Sequence, residues 1–386
     1  MADTAVVKNA TLSLTHQCNL RCTYCYAGDK VNRPMSEKTA NQALDFLAQH
    51  SDGHCTVTFF GGEPLLEFDL MKKVVDYARS DHDGRFDFRM STNGVLLTAE
   101  KMAFLRQHEI YFVLSIDGCE QQHNCTRTYP NGKGSFASVA RHLPAVFEFN
   151  PYTIAVSVIT PETVGYVSEG VQDLFARGFR YVLQTLDHAA PWTSNDLRKL
   201  KDQYRKLADY YYKMLKNDRK IYYSPFDERI KTWAQKPYQP GDLCDLGNSQ
   251  VSIAPSGRIY PCVQFVAGDD EAVADWVIGD IVHGFNDQRR RWLRTLSLKR
   301  KAECDGCALE GRCATHCGCV NWQATGHIDR VPPVICKHER VLMPIVDRLA
   351  NRLYKKKVSL FERKFYDRLY PMSSYVEDCK VVQRES

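Results

Sequence analysis

An α/β fold on a parallel sheet is what the first half of this sequence predicts, and three observations predict it. Strand-length runs of β-branched or aromatic residues recur between Ala10 and Leu186. Amphipathic stretches with apolar residues three and four apart separate them. The two kinds of segment alternate strictly. Sequential strand–helix units of this kind wind into a barrel or part of one, with functional residues in the loops after the strands. In order, ATLSLT (10–15) precedes a helix over Ser36 to His50, and TVTFF (56–60) precedes one over Glu67 to Ser80. FRMST (88–92) leads to Ala99–His108, YFVLSI (111–116) to Phe136–Phe149, and TIAVSVI (153–159) to Pro161–Arg177. YVLQTL (181–186) is the sixth strand.

The residues with chemical character fall at the ends of these strands. CNLRCTYCY follows the first, GGEP the second, STNG the third, and an Asp-Gly with a nearby His and Arg the fourth. Four loops are thereby placed around one mouth. Ser194 to about Asn217 reads as a long helix rich in Lys, Arg and Tyr, with Tyr210, Tyr211 and Tyr212 as packing residues. The Pro-bearing stretch to about Pro240 reads as a linker. Beyond Asp242 periodicity weakens, a strand pair VSIAPSGRIYPC appears, and cysteines replace apolar residues as the organising feature. The tail from Leu342 is basic and helical, a helix packed on the body. The expected division is 1–235, 236–341 and 342–386.

Composition narrows the partners. Lys+Arg 51 against Asp+Glu 46 leaves +5 over 386 residues, too weak a surplus to imply nucleic acid or an anionic membrane. No cationic, then apolar, N-terminal stretch and no run of eighteen apolar residues occur, so a cytoplasmic chain without membrane contact is expected. Fifteen cysteines are many for a reducing compartment, and their clustering suits thiolate metal ligands better than disulfides.

Cys18-x3-Cys22-x2-Cys25 sets three soft thiolates in one loop, which suits a [4Fe–4S] cube with one iron left open. Zinc would need a fourth ligand such as His16. The loop resembles the signature of the radical S-adenosylmethionine (radical SAM) superfamily, Cys-x3-Cys-x-aromatic-Cys after the first strand of a partial (β/α)6 barrel, with Tyr24 at the aromatic position. The resemblance implies that S-adenosylmethionine binds the open iron and is cleaved by one electron to a 5′-deoxyadenosyl radical, which abstracts a substrate hydrogen. It also implies cofactor contacts for Gly61, Gly62 and Glu63, for Ser91, Asn93 and Ser115, for Arg127 at the cofactor carboxylate, and for Leu183 near adenine. Asp117 reads equally as a turn residue and as a contact.

Cys244, Cys262, Cys304, Cys307, Cys313, Cys317 and Cys336 follow a second pattern, which resembles the SPASM auxiliary-cluster domain of radical enzymes that modify peptides and proteins. The resemblance implies one cube on Cys304, Cys307, Cys313 and Cys336, and another on Cys244, Cys262 and Cys317. Three [4Fe–4S] clusters are expected in all. The last set is one thiolate short; an open iron is favoured, with a non-cysteine ligand or Cys319 as alternatives. Cys55, Cys119, Cys125 and Cys379 match no cluster position.

The resulting expectation is a maturase that abstracts a side-chain hydrogen from a ribosomally made precursor peptide and closes a cross-link, a C–C cyclophane before a thioether. Epimerisation is the less attractive variant. The alternatives are formylglycine formation, as in anaerobic sulfatase maturases, and a non-catalytic Fe–S electron carrier. Sulfatase maturases typically carry Asp after the Tyr-Pro-Cys cysteine, Gln before the double glycine and a Phe-Tyr pair after the third cluster cysteine. This sequence has Val263, Phe60 and Tyr26-Ala27 there. No general base is identifiable. Expected partners are a precursor with its leader, bound by the barrel, the 194–217 helix, the cysteine-rich region or a separate protein, and a one-electron reductant of flavodoxin or ferredoxin type.

Overall fold

The computed structural model describes residues 6–235, 237–238, 244–313 and 317–385. The first part alternates as the apolar pattern dictates: β1 (Asn9–Thr15), α1 (Glu37–His50), β2 (Cys55–Gly61), α2 (Phe68–Asp81), β3 (Phe86–Thr92), α3 (Ala99–Gln107) and β4 (Tyr111–Ser115). Three short helices follow, α4 (Glu120–Thr126), α5 (Phe136–Ala140) and α6 (Leu143–Phe149), then β5 (Ile154–Ile159), α7 (Val167–Ala176), β6 (Tyr181–Leu186) and α8 (Ser194–Lys216). Next come β7 (Tyr222–Tyr223), α9 (Ser224–Ala234), the strands β8 (Gln250–Ile253), β9 (Arg258–Tyr260), β10 (Gly279–Asp280) and β11 (Gly284–Phe285), and α10 (Asp287–Leu298). The chain ends in α11 (Gly318–Thr325), α12 (Pro333–Lys355), α13 (Ser359–Tyr366) and α14 (Tyr370–Glu385).

Among the described residues the eleven strands form one sheet, ordered β11-β10-β9-β8-β1-β2-β3-β4-β5-β6-β7. From β1 to β7 every neighbour is parallel, and β8 also runs parallel to β1, with Asn9 opposite Gln250 and Leu12 opposite Ile253. The side chains alternate with period two. Val57, Phe59, Met90, Leu114 and Ala155 are buried under the helices, whereas Thr58, Ser91, Ser115, Val156 and Leu183 lie on the opposite face and are at most half-buried. Helix starts are fixed by side-chain caps. Ser36 accepts the Thr39 N–H at 3.0 Å, and Thr193 and Asp196 close a capping box on α8, each cap worth about 1 kcal/mol.

Three expectations change. The stretch after Asn217 is not a linker as far as Gln235, because Ile221, Tyr223, Phe226 and Ile230 are buried where β7 and α9 pack on β6 and α12. Pro225 stands in the first turn of α9, where its missing N–H costs no hydrogen bond. The helix expected over Phe136–Phe149 is two helices, α5 and α6, separated by Arg141 and His142. The tail's helix begins earlier than Leu342, since α12 starts at Pro333 and carries Cys336. Residues 1–5, Lys236, 239–243, 314–316 and Ser386, the end of the expected linker among them, lie outside the described residues.

Candidate active site

The loop after β1 is hung between β1 and the end of α4. The Met35 N–H returns to the Leu14 carbonyl at 2.7 Å, and the Arg21 and Thr23 N–H groups donate to Thr128 and Thr126 carbonyls at 2.7 and 3.0 Å. Cys18 and Cys22 are half-buried and Cys25 is exposed. Each sulfur faces a donor: Asn93 Nδ2 lies 3.8 Å from Cys18 Sγ, Arg127 Nη1 3.6 Å from Cys22 Sγ, and Lys30 Nζ 2.9 Å from Cys25 Sγ. Burial pushes the Cys18 thiol up to about 11, so a coordinated cation is what would hold it deprotonated. Three soft sulfurs ringed by cationic and amide donors fit an iron–sulfur cube. His16 is buried, with Asp269, Arg33, Lys30 and the Ala267 backbone as its electrostatic neighbours.

Asp117 organises the fourth loop. Its fully buried carboxylate accepts from the Tyr24 hydroxyl, from Arg127 Nε at 3.1 Å, from Thr126 Oγ1 at 3.2 Å and from the Val158 N–H at 2.9 Å. Arg127 in turn lies over the Tyr24 ring, 5.6 Å from its centroid. The Asp117 side chain is thus neither a bare turn residue nor a free contact. It fixes the guanidinium and the phenol that flank Cys22.

Glu63 is fully buried, and its carboxylate accepts the Leu65 N–H at 3.1 Å, the Thr92 hydroxyl at 2.8 Å and the Asn93 N–H at 2.8 Å. In this structure it braces the third loop, and the group presented toward Cys18 is the Asn93 amide. The two glycines serve the thiol loop as well. A Cβ on Gly61 would fall 2.3 Å from the Thr15 carbonyl oxygen, and one on Gly62 2.0 Å from that of Gln17. Ser91 is the last but one residue of β3 and Ser115 the last of β4, and Ser115, Val156 and Leu183 form one row across the face opposite the helices through the β4–β5–β6 register.

The later cysteines gather in two places. Cys304, Cys307, Cys313 and Cys336 line one cavity of about 230 Å³. Cys317 Sγ lies 3.2 Å and Cys262 Sγ 3.6 Å from Cys319 Sγ, and Cys244 is in electrostatic contact with Cys317 and Cys262. Among the described residues no three His, Cys, Asp or Glu side chains converge on one point as ligands of a single ion do. A cube takes its thiolates at separate corners, a wider arrangement than a single ion requires.

Both cysteine fields share a neighbourhood. Tyr26, directly after Cys25, is in electrostatic contact with Cys25, Cys262 and Cys319. Arg33 Nη1 donates to the Gly268 carbonyl at 2.9 Å. Tyr26, Lys30 and the anchoring role of Asp117 are additions to the sequence-derived set. Only the placement of Tyr26 beside a cluster cysteine could have signalled it.

Residues 12–174 match the radical SAM superfamily profile. An uncharacterized protein of Methanocaldococcus jannaschii is 34% identical over 178 residues, 46% of this chain and 61% of that protein. The radical SAM cyclopropyl synthase TigE of Paramaledivibacter caminithermalis is 23% identical over 66% of this chain and 57% of its own. A cysteine-type anaerobic sulfatase-maturating enzyme of Clostridium perfringens is 23% identical over 78% and 85%. The chain therefore spans less than two thirds of the first two relatives. Among solved structures, native anSMEcpe with bound AdoMet superposes with a TM-score of 0.73 at 19% identity, covering 89% of this chain and 99% of that one. Streptococcus suis SuiB bound to precursor peptide SuiA gives 0.59 at 15%, covering 86% and 76%. At these identities the likeness is one of fold. No helix among the described residues is long and apolar enough to cross a membrane.

Proposed function

The chain carries a radical SAM domain over residues 12–174, and from that premise we propose that it is a radical enzyme modifying a peptide or protein. The substrate we favour is a ribosomally made precursor with its leader, and the product an intramolecular cross-link, a C–C cyclophane before a thioether. The observation that carries this is the shared mouth. Cys18, Cys22 and Cys25, the Asn93 amide and the Arg127–Tyr24–Asp117 group meet at the strand ends, with auxiliary thiols beside them through Tyr26.

When bound, a [4Fe–4S] cube on the three thiols and S-adenosylmethionine supply a primary carbon radical that removes a substrate hydrogen. The protein's part is to bind and orient. Arg127, held by Asp117, would take the cofactor carboxylate; Tyr24 would pack beside it; Ser91, Ser115 and Leu183 on the face opposite the helices would meet the nucleoside. Two further cubes, on Cys304, Cys307, Cys313, Cys336 and on Cys244, Cys262, Cys317, would make the later region a SPASM domain. Cross-linking is a two-electron oxidation, so an acceptor near the substrate suits the reaction. The electron source would be a flavodoxin- or ferredoxin-type reductant in the cytoplasm.

Sulfatase-type maturation is the second reading, favoured by the coverage of the anSMEcpe chain. Against it, Val263 opens the turn after Cys262, where no side-chain carboxylate can accept a proton.

Anaerobic reconstitution with iron and sulfide, then reduction with S-adenosylmethionine, tests the proposal. Release of 5′-deoxyadenosine together with three cubes' worth of iron per chain is expected. A precursor encoded beside this chain should lose two hydrogens per cross-link. Conversion of a sulfatase Cys or Ser peptide to formylglycine would instead select the second reading, and no deoxyadenosine from the reduced, iron-loaded protein would end both.

A further inference from the structure

Cys319 is not one of the seven cysteines of the second pattern, yet the structure seats it among them. Its side chain is buried, and its sulfur lies 3.2 Å from Cys317 Sγ and 3.6 Å from Cys262 Sγ. The local sequence enforces this placement. Cys317 is the N-cap of α11, Gly318 its first residue and Cys319 its second. A Cβ on Gly318 would meet Ile328 Cγ2 at 2.9 Å and Leu246 Cδ2 at 3.0 Å. Glycine at 318 therefore eases the approach of the first turn of α11 to Leu246, with both flanking thiols beside Cys262. Cys55 and Cys119 make the contrast: they are buried too, but neither has a cysteine sulfur in hydrogen-bonding contact.

We propose that Cys319 is the fourth thiolate of the auxiliary cluster held by Cys244, Cys262 and Cys317, so that this cube is closed and has no open iron. The proposal rests on the iron–sulfur reading of those three residues. Binding replaces the thiol proton, lost to solvent, with an iron–sulfur bond. One consequence concerns chemistry: a closed cube can exchange electrons with a substrate but cannot hold the substrate's own thiolate. Thioether formation by thiolate capture at this cluster is thereby disfavoured relative to carbon–carbon closure.

The test uses the full chain, reconstituted anaerobically and saturated with S-adenosylmethionine so that the iron opposite Cys18, Cys22 and Cys25 is occupied. Reduced protein is exposed to ¹³C-cyanide and examined by electron–nuclear double resonance, with iron counted in parallel. The unaltered chain should show no ¹³C coupling. Cys319→Ala should either gain that coupling at full iron content or lose one cube's iron. Cys319→Ser, which keeps an oxygen donor, should retain the cube with a changed resonance signal, and Cys55→Ala should match the unaltered chain. Cyanide coupling in the unaltered chain, or a Cys319→Ala protein with full iron, the parental signal and no coupling, would overturn the proposal. Failure of the underlying reading looks different: the unaltered chain would then hold only one or two cubes' iron, and Cys244→Ala would not lower the count.

Discussion

Asp117 joins Tyr24, Thr126, Arg127 and Val158 through one carboxylate that no water reaches. Removing it with Asp117→Ala leaves the Arg127 guanidinium buried without its counter-charge, a loss of about 3–5 kcal/mol. Denaturant unfolding of the anaerobic protein should show it, with Asp117→Asn less affected because it keeps an acceptor. Gly62→Ala should act differently. Its Cβ meets the Gln17 backbone, so the thiol loop must shift, and one cube's iron should be missing while Gly165→Ala, with open space around it, keeps all. His188 gives a pH signature. Burial and Arg229 lower its pKa to about 4, against the pull of Glu339, so the fold keeps it neutral while the unfolded chain protonates near 6.5. Stability should therefore fall as pH drops from about 6.5 to about 4 and level off below, by on the order of 3 kcal/mol for this group. A His188→Asn protein whose stability declines as steeply as the parent's over that window would contradict this. The grouping of Cys18, Cys22 and Cys25 in one loop was legible from spacing, because these thiols are close in the chain; the two later groupings came from a resemblance, and the approach of Cys319 to Cys262 shows only in the fold. Asp117 was not, because Asp-Gly is also ordinary turn chemistry, and neither was Glu63 as a brace, because only the fold brings Thr92 and Asn93 to it.

At the scale of elements, what the apolar period could reveal depended on length. The strands from β1 to β6 have at least five residues and show their alternation; β7 has two and shows none, so its stretch read as a linker. α12 was half-visible: its later turns show the inward row Leu342, Val346, Leu349 and Leu353, which packs on α8 and α9, whereas its first turns bury the polar His338 and Glu339 and so show no apolar period. That row ties Cys336 to the sheet's helical layer, since Cys336 stands in the first turn of the same helix. Leu353→Ala, at a fully buried site, should cost about 2–5 kcal/mol, read from the unfolding midpoint. If Cys336 holds iron, chelation should also raise amide exchange along the first turns of α12 before it does so in α8. The opposite end of the strands holds another hollow, about 670 Å³, bounded by Tyr152, Arg180, Tyr181 and Lys220 under α14. Arg180 and Lys220 both pair there with Asp378, so that end is closed by ion pairs while the thiols occupy the other.

For the whole molecule, the sequence suggested a barrel followed by a cysteine-held region, and the sheet shows how they join. β8 pairs with the outer edge of β1, so the later region continues the same hydrogen-bonded surface that carries the first thiol loop. A composition shift near Asp242 announced a change of organising principle but could not reveal that pairing, because β8 has only four residues and strand order is a long-range property. The junction is reinforced by the Arg33 contact to Gly268 and by Val251 and Ile253, both fully buried. Cutting the chain after Gln235 would strip β1 of this neighbour and leave an edge of unpaired N–H and C=O groups beside the apolar residues Ala10 and Leu12. Such a fragment is expected to aggregate or to melt well below the full chain, even when the first cube is reconstituted. Size-exclusion chromatography and thermal unfolding of residues 1–235 decide the matter. A monomeric fragment with a cooperative transition close to the parent's would mean that the β1–β8 pairing adds little stability, and that the two regions fold as separate units.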